Sequence, residues 1–337
     1  MAYQTGDSIL DDHYNAFVAG DSFGTSTEFP NNINKLTGVG FGDYGYNLTE
    51  IDRVSAGDTI TAAQWTALLG RMTNMANHTG ASITASSSVS TGDPIAAIAA
   101  ITTDLLSLKD ARLSQVADTV RTETSKLTPT NAGITAGQGI QCIQSVTFAG
   151  GDEARAFFNA GGQLQIQMSS AGGSGTEDTR FANLVAIAGK IRLGAKATTR
   201  VAGSGTTYTD VTPPTGSPSV LDTAGYYGLT NTYQTIFLAT MGEMVGYDNY
   251  TSAFMKIEAK TDGSHADARG NTGNVVYLRT TIDYGSSGGG DGGTLNAIEA
   301  TYTCTLSERA PNSTQLGATP GFGTPTYTNV SFLDGNF

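Results

Sequence analysis

The residue types that come nearest to a reaction are a serine in Gly20-Asp21-Ser22-Phe23 and a histidine in Asp262-Gly263-Ser264-His265. A serine hydroxyl is a weak nucleophile until a neighbouring base takes its proton. His265 would be that base. Asp262, three residues earlier, would hold the imidazole in the productive tautomer. The chemistry would be acyl transfer to Ser22 followed by hydrolysis.

The serine block, preceded by Phe17-Val18-Ala19, resembles the nucleophile block of GDSL esterases, in which a strand delivers the serine at a tight turn. Three features oppose that reading. The apolar residues before Gly20 align with Trp65–Leu69 of a repeated pattern and read as helix. The intermediate Gly-x-Asn-Asp block that supplies oxyanion donors has no clear match. His265 falls in a polar, glycine-rich stretch, 261–274. The chain is therefore expected to be non-enzymatic, with no catalytic residue.

Other candidate chemistry is weaker. His13, His78 and His265 are the three histidines, and none has a second ligand type at a metal-binding spacing. His78 closes a predicted helix, where an imidazole is favourable against the dipole. Asp283 and Asp291 flank a glycine-rich stretch without EF-hand spacing. Gly133–Gly139 lacks the Lys-Ser/Thr ending of a P-loop. Tyr226, Tyr227, Tyr247 and Tyr250 suit either packing or a surface on which sugar rings stack. No metal and no cofactor is expected.

The elements that must position these groups fall into two parts. Gly6-Asp7-Ser8-Ile9 leads into His13-Tyr14-Asn15-Ala16-Phe17-Val18, and Gly57-Asp58-Thr59-Ile60 leads into Gln64-Trp65-Thr66-Ala67-Leu68-Leu69. Each copy reads as a turn, a polar cap and an amphipathic helix with an aromatic anchor. Thr61 and Gln64 form a capping-box pattern, Trp65, Leu68, Leu69, Met72, Met75 and Ala76 follow at helical spacing, and Gly80 is a stop. After a Ser/Thr-rich stretch, 84–92, Asp93-Pro94 opens a helix. Its Ile98, Ile101, Leu105 and Leu108, continued by Val116 and Val120, fit either a coiled-coil seam or a helix lying on its own domain.

From about residue 131 the period changes to that of strands. Gln163–Met168 alternates strictly, and Ile140–Phe148, Ile187–Leu193, Ala253–Lys260, Val275–Tyr284 and Ala297–Leu306 are further strands, with one helix around Tyr233–Met244. The expected fold is α+β: a helical attachment region (1–83), a linker with an amphipathic helix (84–130) and a mainly antiparallel, β-sandwich-like domain (131–337). Cys142 and Cys304 fall in strands and read as small buried hydrophobes, with a disulfide disfavoured.

Composition narrows the partners. Charged residues are 14 % of the chain against 39 % hydrophobic, so a core can form while the surface carries few ions. A net charge of −12 argues against nucleic acid as a partner. No apolar run is long enough to cross a bilayer. The N-terminus lacks the basic and apolar regions of a signal peptide, which predicts synthesis in the cytosol.

Four phrases carry a broader resemblance. They are Gly38–Tyr46 with Gly57–Trp65; Ala154-Arg155-Ala156-Phe157-Phe158-Asn159-Ala160-Gly161-Gly162-Gln163-Leu164; Tyr226–Leu229 through Tyr233–Ile236; and Tyr250–Lys260 followed by Gly270–Val276. In order and spacing they resemble virion structural proteins of tailed bacteriophages, especially contractile-tailed phages of marine bacteria. The resemblance implies a place in the tail, neck, baseplate or fibres and localisation in the virion. It implies repeated copies as a homo-oligomer touching other virion proteins, and no catalytic residues. Tyr14, Phe17, Trp65, Leu68 and Met72, with Phe157 and Phe158 in the β domain, are the candidates for contacts between subunits, and each equally suits the core of its own domain. A host-surface carbohydrate-binding adhesin is the alternative, with a surface glycan as partner.

Overall fold

The computed structural model describes residues 11–19, 32–38, 45–84, 98–114, 121–135, 138–201, 203, 219–220, 225–240, 253–263, 271–284, 297–311 and 313–337. Within them an α+β fold joins a helical N-terminal layer to an antiparallel two-sheet body.

The helical layer holds α1 (Asp11–Ala19), α2 (Ile33–Thr37), α3 (Ala62–Thr79) and α4 (Ile98–Ala111). The Thr61 N–H donates to Gln64 Oε1 (2.8 Å) and the Gln64 N–H to Thr61 Oγ1 (3.3 Å). This reciprocal cap fixes the start of α3. Gly80 ends it in the left-handed region, φ +74°. The two copies of the repeat meet: Tyr14 and Trp65, at matched positions, pack edge-on with centroids 5.6 Å apart. Gly6–Ile9 of the first copy lies outside the described residues. Phe17, Leu68, Met72 and Met75 join Ile101, Leu105 and Leu108 of α4 in one core. Ile101, Leu105 and Leu108 of the α4 stripe are thus taken up by their own layer; the side chain of Ile98, and Val116 and Val120, lie outside the described residues.

Between α2 and α3 the chain at 45–55 is irregular, with Asn47 in the left-handed region (φ +55°), and joins no described sheet. Asparagine side chains replace the missing strand. Asn15 donates from Nδ2 to Val54 O and accepts from Val54 N–H, both at 2.9 Å, and Asn34 does the same with Ile51 at 2.9 Å. Each amide satisfies one donor and one acceptor that burial would otherwise strand.

Sheet I runs β1 (Thr122–Leu127), β11 (Ile298–Ala310), β4 (Gln163–Ala171), β5 (Lys190–Leu193), β6 (Thr198–Val201), with β2 (Thr130–Ile134) also paired to β11. Sheet II runs β12 (Thr326–Gly335), β3 (Gly139–Thr147), β10 (Val275–Asp283), β9 (Phe254–Thr261), β8 (Gln234–Thr240), β7 (Ser219–Val220). The inner faces of both sheets share one core, which includes Ile140, Cys142, Leu164, Ile166, Ile257, Leu278 and Leu306. Helix α6 (Thr176–Ala188) touches β4 and β11 of sheet I and β8 and β9 of sheet II, so it wedges the sandwich open along one side. Its Phe181, Leu184, Val185 and Ala188 fill the gap. Asp178 anchors the wedge: one carboxylate oxygen accepts the Gly175 N–H (2.9 Å) and the other the N–H groups of Glu299 (2.8 Å) and Ala300 (2.9 Å).

Several boundaries differ from the sequence reading. Residues 234–240 form strand β8 where a helix over Tyr233–Met244 was expected, because β9 supplies a ladder from Gln234 to Thr240. Residues 187–188 end α6, and the strand begins only at Lys190. The β body starts at Thr122, since β1 and β2 lie end to end along β11. Cys142 and Cys304 are buried and unbonded, as expected. They lie on strands that face each other, where Gln144 Nε2 donates to Cys304 O (3.2 Å) and Cys304 Sγ to Gln144 Oε1 (3.6 Å). A hydrogen bond to the Cys304 thiol, and then burial, raise the Cys142 pKa, so it stays a neutral thiol.

Helix α5 (Gly151–Asn159) leads into the junction between layers. Asn271, 0 % exposed, donates from Nδ2 to Tyr226 O (2.7 Å), and its Oδ1 accepts from Gly273 N–H (2.8 Å) and Thr261 Oγ1 (3.2 Å). Arg155 donates to Asn271 O (3.2 Å), Tyr227 OH to Asn159 Oδ1 (2.8 Å), and Asn159 Nδ2 to Gly45 O (3.0 Å) in the helical layer. Gly263 and Gly273 pack so closely that a Cβ on Gly263 would lie 2.0 Å from Gly273 N. Asn271→Ala, which strands the Gly273 N–H and removes one partner each from Tyr226 O and Thr261 Oγ1, is expected to cost about 2–3 kcal/mol in a urea melt; a loss under about 1 kcal/mol would remove Asn271 from this role. Asp178→Ala is expected to cost about 2–3 kcal/mol by the same measure, and an unchanged midpoint would count against the anchoring of α6.

Candidate functional site

Asp262 is exposed just past β9, and its Oδ1 accepts the Val275 N–H at 2.8 Å, closing the turn toward β10. Gly20, Asp21, Ser22, Ser264 and His265 lie outside the described residues, as do Asp291, Tyr247 and Tyr250. Of the three residues of the esterase pattern, Asp262 alone is among the described residues, and it serves a turn.

The two described histidines are interior groups. Burial lowers the pKa of His13. His78, 2 % exposed, meets the ring of Tyr46 edge-on at 5.6 Å. Neither of its ring nitrogens reaches a partner in good geometry, although the Asn159 backbone lies near enough to offset part of the shift. Burial first, and then the Arg121 charge, push its pKa from 6.5 down to about 4. Among the described residues no group of His, Cys, Asp and Glu side chains is arranged to hold a metal ion. Nor is any described helix long and apolar enough to cross a membrane.

The aromatic candidates are placed inside the chain. Tyr14, Phe17, Trp65, Leu68 and Met72 are core residues of the helical layer, and Phe157 and Phe158 are core residues of the β body. Every one is covered by the chain's own side chains, the intradomain core role that the sequence left open beside contact between subunits. Tyr226 is buried and stacks on Phe158 with centroids 4.3 Å apart and planes 12° from parallel. Its hydroxyl donates to Gly273 O at 2.7 Å. Tyr226 therefore belongs to the junction, and half-buried Tyr227 spends its hydroxyl on Asn159.

Two surface features stand out among the described residues. A shallow cleft of about 290 Å³ beside α1 is lined by Ala19, Asn34, Glu50, Ile51, Asp52 and Arg53. Its amide, Asn34, is already committed to Ile51. The second feature is the outer face of sheet II, which sequence reading missed because its residues come from β9, β10 and the position just before β8. Arg279 pairs with Glu258 directly across β10 and β9 at 2.8 Å, and Lys256 reaches the same carboxylate at 3.3 Å. The Arg279 guanidinium sits 4.0 Å from the centre of the Tyr233 ring. The Lys260 ammonium lies 4.8 Å from Tyr233 and 4.9 Å from Tyr277. The signal in sequence was alternation alone: Lys256, Glu258 and Lys260 occupy every second position of β9.

No protein-family model, curated protein or solved structure matches the chain.

Two outcomes follow from these placements. Ester hydrolysis by the wild type and by Ser22→Ala is expected to be equal and negligible with short-chain aryl esters; a rate that the substitution abolishes would establish the esterase. His78 is held neutral over a range in which the unfolded chain protonates it, so its contribution is full above pH 6.5 and falls as pH drops toward 4. The gap of about 2.5 pK units corresponds to about 3 kcal/mol. His78→Phe should flatten that part of the stability–pH curve, and an unchanged slope between pH 6.5 and 4 would disprove the assignment.

Proposed function

We propose that this protein is a non-enzymatic structural component of a tailed phage particle, present in symmetric copies in the tail, neck, baseplate or fibres. Its partners in this reading are sister copies and other virion proteins, and its location is the virion. One observation carries the proposal. The four phrases that resemble such proteins converge on one junction in space. Asn159 of the second phrase donates to Gly45 of the first, Tyr227 of the third donates to Asn159, and Asn271 of the fourth donates to Tyr226 of the third. Residues scattered over more than two hundred positions therefore serve a common scaffold, which supports a likeness of fold over a chance likeness of phrases.

Composition supports the same reading. Few charges lower the desolvation cost of burying neutral surface against neighbours. Closed symmetric assembly is the usual outcome when many copies must build one particle. The decisive experiment is mass spectrometry and immunogold labelling of purified particles from cells infected with a phage encoding this chain. Recovery at a fixed multiple of a known virion protein is the expected result. Abundance in the lysate with absence from banded particles would refute the proposal.

A further inference from the structure

The outer face of sheet II carries the chemistry of an interface. Leu333 of β12, 59 % exposed, lies opposite Gln141 on β3. Half-buried Ile143, Tyr277 and Leu238 continue the face across the sheet. Interface centres favour Tyr and Arg. The charge on the face is unusual for this chain. Lys256, Lys260 and Arg279 gather there against Glu258, with Asp283 at the end of β10, whereas the whole chain carries −12. Among the described residues Lys260 faces two tyrosine rings and no carboxylate. Sheet I does not offer the same surface, since its Arg192 and Arg309 are buried.

We infer that this face seats the acidic surface of a second copy of the chain, in a head-to-tail contact. The inference deepens the structural-component reading and rests on it. Charge selects the geometry. A two-fold contact of the face with itself would bring Lys260 and Arg279 against their own images, and like charges in a contact are costly. A cationic face on an acidic chain is complementary to a different surface of its sister, such as the segment bearing exposed Glu50, Asp52 and Asp58. A contact between unlike surfaces repeats around a ring when its rotation closes, and along a filament when it does not.

The test is light scattering of the full chain at low and high salt, with Lys260→Glu and Leu333→Asp as separate variants. Arg279 is left in place because Glu258 depends on it. The wild type is expected to self-associate at low salt and to dissociate as salt rises. Each variant should weaken self-association by about tenfold or more with its melting curve and circular dichroism unchanged. If one variant proves unstable, the other decides. A wild-type monomer, salt-independent association, or variants that assemble like the wild type would overturn the inference. So would a monomer that binds polygalacturonate through Lys260, which would assign the face to an acidic glycan. Failure here is separable from failure of the broader reading: a monomer found in purified particles removes the contact alone, and absence from particles removes the virion role whatever the mass in solution.

Discussion

Buried irregular backbone must find hydrogen-bond partners, and in this chain neutral amide side chains supply them. Asn271 is the case on which most depends. Its side chain and carbonyl connect the end of β9, the turn at Tyr226, the segment before β10 and, through Arg155, helix α5. Asn159 carries the connection on to the helical layer. Asn15 and Asn34 do for the irregular segment before α3 what a neighbouring strand would do. A charged side chain in these places would need a counter-ion and would be expensive to desolvate. An amide presents a donor and an acceptor at once and needs neither. The scarcity of charge and the abundance of asparagine-bound loops are two sides of one solution.

The sheets depend on that junction in turn. They share inner faces near β3 and β11, but α6 holds them apart on the other side. A sandwich opened in this way still closes its core because Phe181 and Leu184 occupy the gap. Asp178 joins the N-terminus of the wedge to β11, so helix and sheet are held in register by one carboxylate. With its interior filled, sheet II leaves its other face to Tyr233, Tyr277, Lys260 and Arg279, a row that no described helix covers.

Local signals were legible where the answer was local. The cap at Thr61 and Gln64, the stop at Gly80 and the alternation of β4 each declare themselves within a few residues. β8 misled because Tyr233, Ile236 and Phe237 also fit a helical spacing; its pairing with β9, decided elsewhere in the chain, made it a strand. Helix α6 was hidden behind the strand-like Ile187–Leu193, although Phe181, Leu184, Val185 and Ala188 already kept a three-four spacing. β12 gave no alternation to read because both its sides remain largely exposed at the sheet edge. The aromatic anchors were recognised as packing residues, but sequence cannot say whether a packing residue meets its own chain or another. Of the cation–tyrosine face the sequence held only the alternation along β9, since the face itself exists only once β8, β9 and β10 lie side by side.

Trp65 is the only tryptophan in the chain, and it lies wholly inside the helical layer. Among the described residues Tyr14 and Tyr46 lie in the helical layer, and the tyrosines from Tyr226 to Tyr327 belong to the β body. Indole emission therefore watches one core, while tyrosine absorbance is weighted toward the other. The polar junction between them decides whether the two optical signals change together or in succession, so a single cuvette distinguishes a chain that melts as one body from one whose layers part first.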